Sequence, residues 1–102
     1  MNIVFIGGVK FSYELLSHIL NNGWSISMVF SYNESKKKFY SDYTSFEEIT
    51  KKFCIPHVKV NNINDPENVN LLKKINPDLI LVMGWSQILK SEILKIPKLG
   101  VI

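Results

Sequence analysis

Two short glycine-bearing stretches, Gly7-Gly8-Val9-Lys10 and Gly84-Trp85-Ser86-Gln87, hold most of the chemistry that this chain of 102 residues can display. Glycine lets backbone come close to a ligand. Backbone amides near Val9–Ser12, with Lys10 as a point charge, would suit a phosphate at a helix N-terminus. Lys10 as an ordinary solvated loop residue explains the same letters. A tryptophan just after a buried strand can wall a flat pocket, with loop N–H and C=O groups reading the edge of a heterocycle. Equally, Trp85 can simply fill core space. The other reactive side chains do not assemble. His18 falls on the polar side of a helical repeat, and His57 follows Pro56 at the start of a strand. Asp78 begins another strand, Asp65 stands at a helix N-cap, and Asp42 has no evident partner. Cys54 reads as a small core residue near a helix end. No G-x-G-x-x-G, nucleophile–base pair, acid pair or Cys/His metal spacing occurs, so no catalytic or metal-binding residue is assigned.

The elements that must position the two stretches follow from the hydrophobic pattern. Asn2–Ile6 is a β-branched, apolar first strand ending at Gly7-Gly8. Leu15, Leu16, Ile19 and Leu20 repeat at helical spacing from Ser12 onward, with Gly23 where a helix ends. Trp24–Phe30 is expected as a second strand, with Trp24, Ile26, Met28 and Phe30 on one face. Asn33–Thr44 is polar and is expected as a long surface loop. Ser45 to Glu48 has the form of a capping box opening a helix that stops before Pro56. His57–Val60 is a short third strand, and Asp65-Pro66 opens a helix running to Ile75. Leu79–Met83 is an unbroken apolar run, as in a strand buried on both faces of a parallel sheet. A short helical pattern follows, and Leu99–Ile102 opens a fifth strand. Alternation of this kind predicts an α/β fold, a Rossmann-like parallel sheet of order 3-2-1-4-5 with the last strand incomplete. The first and fourth strands then meet at the topological switch point, and both glycine stretches lie at its crevice. Tight strand–helix turns would also account for these glycines.

Composition narrows the class. The chain carries 46% apolar and 21% charged residues, with 12 basic against 9 acidic side chains. That balance fits one globular domain, residues 1–102, and permits an anionic ligand without demanding nucleic acid. Lys36-Lys37-Lys38 beside Phe39, Tyr40 and Tyr43 mixes charge and aromatics as nucleic-acid contacts do, but a solvated loop is the favoured reading. Neither a signal sequence nor a membrane span is visible, and a cytoplasmic protein is expected.

The stretches NIVFIGGVKFSYELL, CIPHVKVNNIND and INPDLILVMGWSQILKSEILKIPKLGVI together resemble the N-terminal domain of folate-dependent formyltransferases. The last, with its strand, small loop, Gln-Ile-Leu and Ile-Pro-x-x-Gly, is the most specific. The GWSQIL form is closer to sugar-amine formyltransferases and their methionyl-tRNA-formyltransferase-like relatives than to the glycinamide ribonucleotide enzymes. Gly7-Gly8-Val9 departs from the Gly-Thr-Pro form of the tRNA enzymes. The resemblance implies 10-formyltetrahydrofolate as cofactor, its pterin against Gly84, Trp85, Ser86, Gln87, Ile88 and Leu89. It implies an acceptor amine facing Gly7, Gly8, Val9, Lys10 and Ser12. The family's Asn, His and Asp that activate the amine and stabilise the oxyanion have no matching positions here. The expectation is therefore an N-terminal formyltransferase piece, inactive and poorly stable or self-associating alone, or completed by a second chain. A non-catalytic folate- or small-ligand-binding module is the alternative.

Overall fold

Ile3–Ile6 forms strand β1 with all four residues buried, as an apolar, β-branched run without polar alternation requires. The computed structural model describes residues 1–102, the side chain of Phe39 excepted. After β1 come α1 (Lys10–Asn21), β2 (Met28–Tyr32), a 3-10 helix (Glu34–Phe39) and α2 (Glu47–Lys52). They are followed by β3 (His57–Val60), α3 (Pro66–Ile75), β4 (Leu79–Val82) and α4 (Ser91–Leu94). The sheet is parallel, in the order β3-β2-β1-β4, with Ile3 opposite Leu79 and Ile6 opposite Val82. The Rossmann-like α/β fold and the adjacency of β1 and β4 are as expected from the pattern. In place of a fifth strand there is one parallel bridge, Ile80 to Val101, on the outer side of β4.

Alternate residues of β1 enter two different cores. Val4 and Ile6 join Phe30, Val60, Ile80 and, from α3, Val69 and Leu72 on one face of the sheet. Ile3 and Phe5 join Val29, Leu16, Leu20, Phe46 and Ile49 on the other. Full burial of a side chain such as Phe5 contributes roughly 1.5–3 kcal/mol. That sandwich of helix, sheet and helix holds the carboxyl ends of β1 and β4 side by side.

Several boundaries differ from expectation. The second strand begins at Met28, four residues later than expected, and Trp24 is 66% exposed in the connection. The alternation from Trp24 resembles a half-buried strand, but β2 is an inner strand buried on both faces through Tyr32. Asn33–Thr44 is not wholly irregular, since Asn33 caps the 3-10 helix by accepting from the Ser35 N–H at 3.1 Å. Ser45 forms no capping box; its hydroxyl accepts from the Glu47 N–H at 3.3 Å and Phe46 is the N-cap. Asp65 occupies the N-cap before Pro66 without a side-chain capping bond. Cys54 is exposed, not core, because the chain turns there through the left-handed region at φ 55°.

Candidate functional site

The turn after β1 is built around Ser12. Its side chain is fully buried, donates to the Val9 carbonyl at 2.7 Å and accepts from the Val9 N–H at 2.9 Å. This local pair closes the start of α1, so the Ser12 hydroxyl faces inward and supports the turn. The Lys10 N–H donates to the Asp42 carbonyl at 2.9 Å. The amides of Val9 and Lys10 are thus both engaged within the protein, and in this arrangement they are not free for the phosphate suggested by the sequence. Gly7 and Gly8 are buried, Val9 is half-buried and Lys10 is exposed.

The glycines answer to packing between loops. A Cβ on Gly7 would stand 2.6 Å from the Ser12 Cβ and 2.7 Å from the Met83 carbonyl. A Cβ on Gly8 would stand 2.1 Å from the Tyr32 ring. Gly84 adopts φ 60°, and a Cβ there would meet Val9 Cγ2 at 2.5 Å. The two glycine stretches thus touch each other at the switch point, as the topology requires.

Tyr32 ends β2 beneath them. Its ring lies between Trp85 (centroids 4.0 Å apart, planes 8°) and Tyr40 (4.5 Å, 13°). The Ser86 N–H donates to Tyr32 Oη at 2.8 Å, and Ser86 Oγ lies 2.9 Å from Tyr32 Oη and 2.7 Å from Tyr40 Oη. Burial pushes the Tyr32 phenol above its usual range, so it is protonated at physiological pH. One face of Trp85 is covered by Tyr32, and the ring also packs on the α3-side core. Its indole N–H is buried without a partner among the described residues. Sequence reasoning missed Tyr32, and weighed Tyr40 only as an aromatic beside the lysine run. The apolar run through Phe30 into Ser31-Tyr32 was the available signal.

The rest of the second stretch is anchored from the connection between β3 and α3. Gln87 accepts from the Ile63 N–H at 2.8 Å and donates to the Asn61 carbonyl at 2.6 Å. Asn64 donates to the Ile88 carbonyl and accepts from the Lys90 N–H. Among the described residues no hydrogen bond uses the backbone groups of Gln87 or Leu89. Ile88 is 83% exposed beside them, and Leu89 packs inward. Unsatisfied amide edges flanking an exposed apolar side chain can hold a planar heterocycle by rim and face.

The other residues weighed from the sequence stand apart. His57 contacts Ser31 Oγ through Nε2 at 2.6 Å and Thr50 Oγ1 through Nδ1 at 3.4 Å. Burial lowers its pKa, with the neighbouring Lys59 charge adding to the effect. It borders a surface cleft of about 640 Å³ lined from α2, β3 and the turn between them, with no lining residue from the glycine loops. Asp78 accepts the Asn2 N–H at 2.7 Å and ties down the start of β1. Tyr40 is turned onto Tyr32 and Tyr43 forms a bridge with Val9, so these aromatics are not an open stacking surface beside Lys36–Lys38. The Phe39 side chain lies outside the described residues. Among the described residues no His/Cys/Asp/Glu cluster could hold a metal, and no helix is long and apolar enough to cross a membrane.

A model of the formyl transferase family matches residues 1–102. The chain is 28% identical over 102 residues to the methionyl-tRNA formyltransferase of Thermotoga maritima, covering 98% of this chain and 33% of that protein. For the methionyl-tRNA formyltransferase of Clostridioides difficile the identity is 32% over 104 residues, covering 100% and 34%. For that of Finegoldia magna it is 35% over 95 residues, covering 90% and 30%. The chain spans about a third of the length of these curated relatives. Among solved structures, phosphoribosylglycinamide formyltransferase from Streptococcus pneumoniae TIGR4 superposes with a TM-score of 0.66. That match covers 98% of this chain and 53% of the other at 14% identity, a likeness of fold alone.

Proposed function

Because the chain belongs to the formyl transferase family, we propose that it forms the N-terminal part of an enzyme moving a formyl group from 10-formyltetrahydrofolate to an acceptor amine. The observation that carries this reading is the Gly84–Leu89 loop, with open amide edges at Gln87 and Leu89 beside exposed Ile88. A pterin fits that arrangement: its polar edge meets backbone donors and acceptors, and its face meets an apolar side chain. The buried indole N–H of Trp85 is a further donor without a partner among the described residues. When bound, the folate supplies the formyl carbon as electrophile. This chain's residues bind and orient. Gln87 and Asn64 hold the loop's shape, and Ser12 sets the turn carrying Val9 and Lys10 beside it.

The acceptor would approach from the Gly7–Lys10 side, as the amine of an amino sugar nucleotide or of methionyl-tRNA. Relatives acting on methionyl-tRNA support the second. The departure of Gly7-Gly8-Val9 from Gly-Thr-Pro supports the first. Among the described residues no side chain stands as a base for the amine, so the chain alone is expected to bind folate without turnover, in the cytoplasm.

The test is titration with 5-formyltetrahydrofolate, a stable analogue of the donor, read by Trp85 fluorescence in a Trp24→Phe background. Saturable quenching is expected, weakened by Ile88→Asp. Absence of binding by the folded chain would sink the folate reading. Formyl transfer by the chain alone to either acceptor would overturn the claim of inactivity.

A further inference from the structure

The phenol of Tyr32 raises a question of proton placement. Tyr32 is 2% exposed, and its oxygen already accepts the Ser86 N–H. Its own proton needs an acceptor, and Ser86 Oγ at 2.9 Å is the one provided. Ser86 Oγ also lies 2.7 Å from Tyr40 Oη, a contact in which either hydroxyl can donate. The two phenols are therefore joined through the Ser86 hydroxyl, with Tyr32 at the buried end.

These groups join three separate segments. Tyr32 belongs to β2 and its ring fills the space beside Gly8. Ser86 belongs to the Gly84–Leu89 loop. Tyr40 belongs to the segment whose Asp42 and Tyr43 pair with Lys10 and Val9, and whose Thr44 N–H donates to the Gly8 carbonyl at 3.1 Å. We propose that Tyr32, Ser86 and Tyr40 form a hydroxyl clamp that positions the Gly84–Leu89 loop against the Gly7–Ser12 loop. They are positioning residues, acting on a ligand through the loop. The ligand side of this statement rests on the folate reading above.

The clamp predicts an effect of hydroxyls that ring packing does not. Tyr32→Phe keeps the ring stack and the space beside Gly8 but removes the acceptor for the Ser86 N–H. Exchange of the Ser86 amide, the one the Tyr32 oxygen holds, should then accelerate on the order of tenfold, and the dissociation constant for 5-formyltetrahydrofolate should rise roughly three- to tenfold. Ser86→Ala and Tyr40→Phe, which alter residues outside the buried core, should each produce a smaller effect of the same sign. If Tyr32→Phe matches the wild type in both exchange and affinity, the hydroxyls hold nothing and the clamp is wrong. Faster exchange in a protein whose wild type does not bind folate would keep the clamp and sink the folate reading. Should Tyr32→Phe lose its near-UV circular dichroism, Ser86→Ala decides, and unchanged exchange in that variant overturns the proposal.

Discussion

Gly8→Ala is the smallest change that tests the packing of the crevice. The added methyl would lie 2.1 Å from Cδ2 and 2.5 Å from Cε2 of Tyr32, far inside contact distance. The ring has little room to retreat. Trp85 and Tyr40 cover its two faces at 4.0 and 4.5 Å, and its oxygen is tied to Ser86. Gly8 does not occupy the left-handed region, so the backbone itself would accept alanine and the penalty is steric. Overpacking of this kind costs about 1–3 kcal/mol. At about 4–8 °C per kcal/mol for a domain of this size, the melting temperature should fall by roughly 5–20 °C. Thermal unfolding followed by near-UV circular dichroism reads both the midpoint and the loss of the stacked rings. Shrinking the partner, as in Gly8→Ala with Tyr32→Leu, should cost less than the sum of the two single changes. A Gly8→Ala melting temperature within 2 °C of wild type would show that the ring is not confined, and the reasoning would fail.

Three further outcomes follow from other parts of the chain. Ser12→Ala strips the Val9 N–H of its partner at a buried turn and should cost about 1–3 kcal/mol, read as a lower urea midpoint with an unchanged slope; an unshifted midpoint would contradict the Ser12 account. Cys54→Gly relieves a left-handed residue that makes no use of its side chain, and should raise stability by up to about 1 kcal/mol; a lower melting temperature would show that the thiol matters to the fold. The folded-state pKa of His57 lies below its unfolded value of about 6.5. Its contribution is therefore complete above that value and declines as pH falls through the window between the unfolded and native pKa. Urea titrations at pH 7.5 and 5.0 should show this loss, and His57→Gln should reduce it; an equal loss in the variant would assign the effect elsewhere.

Much of the frame was legible because the signals were local. The runs Ile3–Ile6 and Leu79–Val82 are apolar enough to specify inner strands, and Asp65-Pro66 and Gly23 mark helix ends by backbone chemistry alone. From those pieces the commonest order of a doubly wound sheet, built with right-handed crossovers, places β1 beside β4. The second strand was misjudged because alternation from Trp24 to Phe30 imitates a strand with one wet face. The left-handed turn at Cys54 is set by the route from α2 into β3 and leaves no mark in residue type. The triad escaped notice for a related reason. Tyr32, Tyr40 and Ser86 are up to 54 residues apart, and nothing in their spacing signals three hydroxyls at one point. The glycines were visible as candidates, but which neighbour each one admits is a tertiary fact.

The fit between Gly8 and the Tyr32 ring has a consequence for evolutionary drift in this family. The two positions share one volume, so growth at the first is accommodated best by shrinkage at the second. A relative with threonine at the place of Gly8, as in the Gly-Thr-Pro form, should carry a slimmer side chain at the place of Tyr32. An aligned set of relatives should therefore show anticorrelated size at these two columns, one in the turn after β1 and the other at the end of β2, 24 residues apart. Lineages that fill the first column would give up the ring stack, and with it this way of joining the two halves of the crevice.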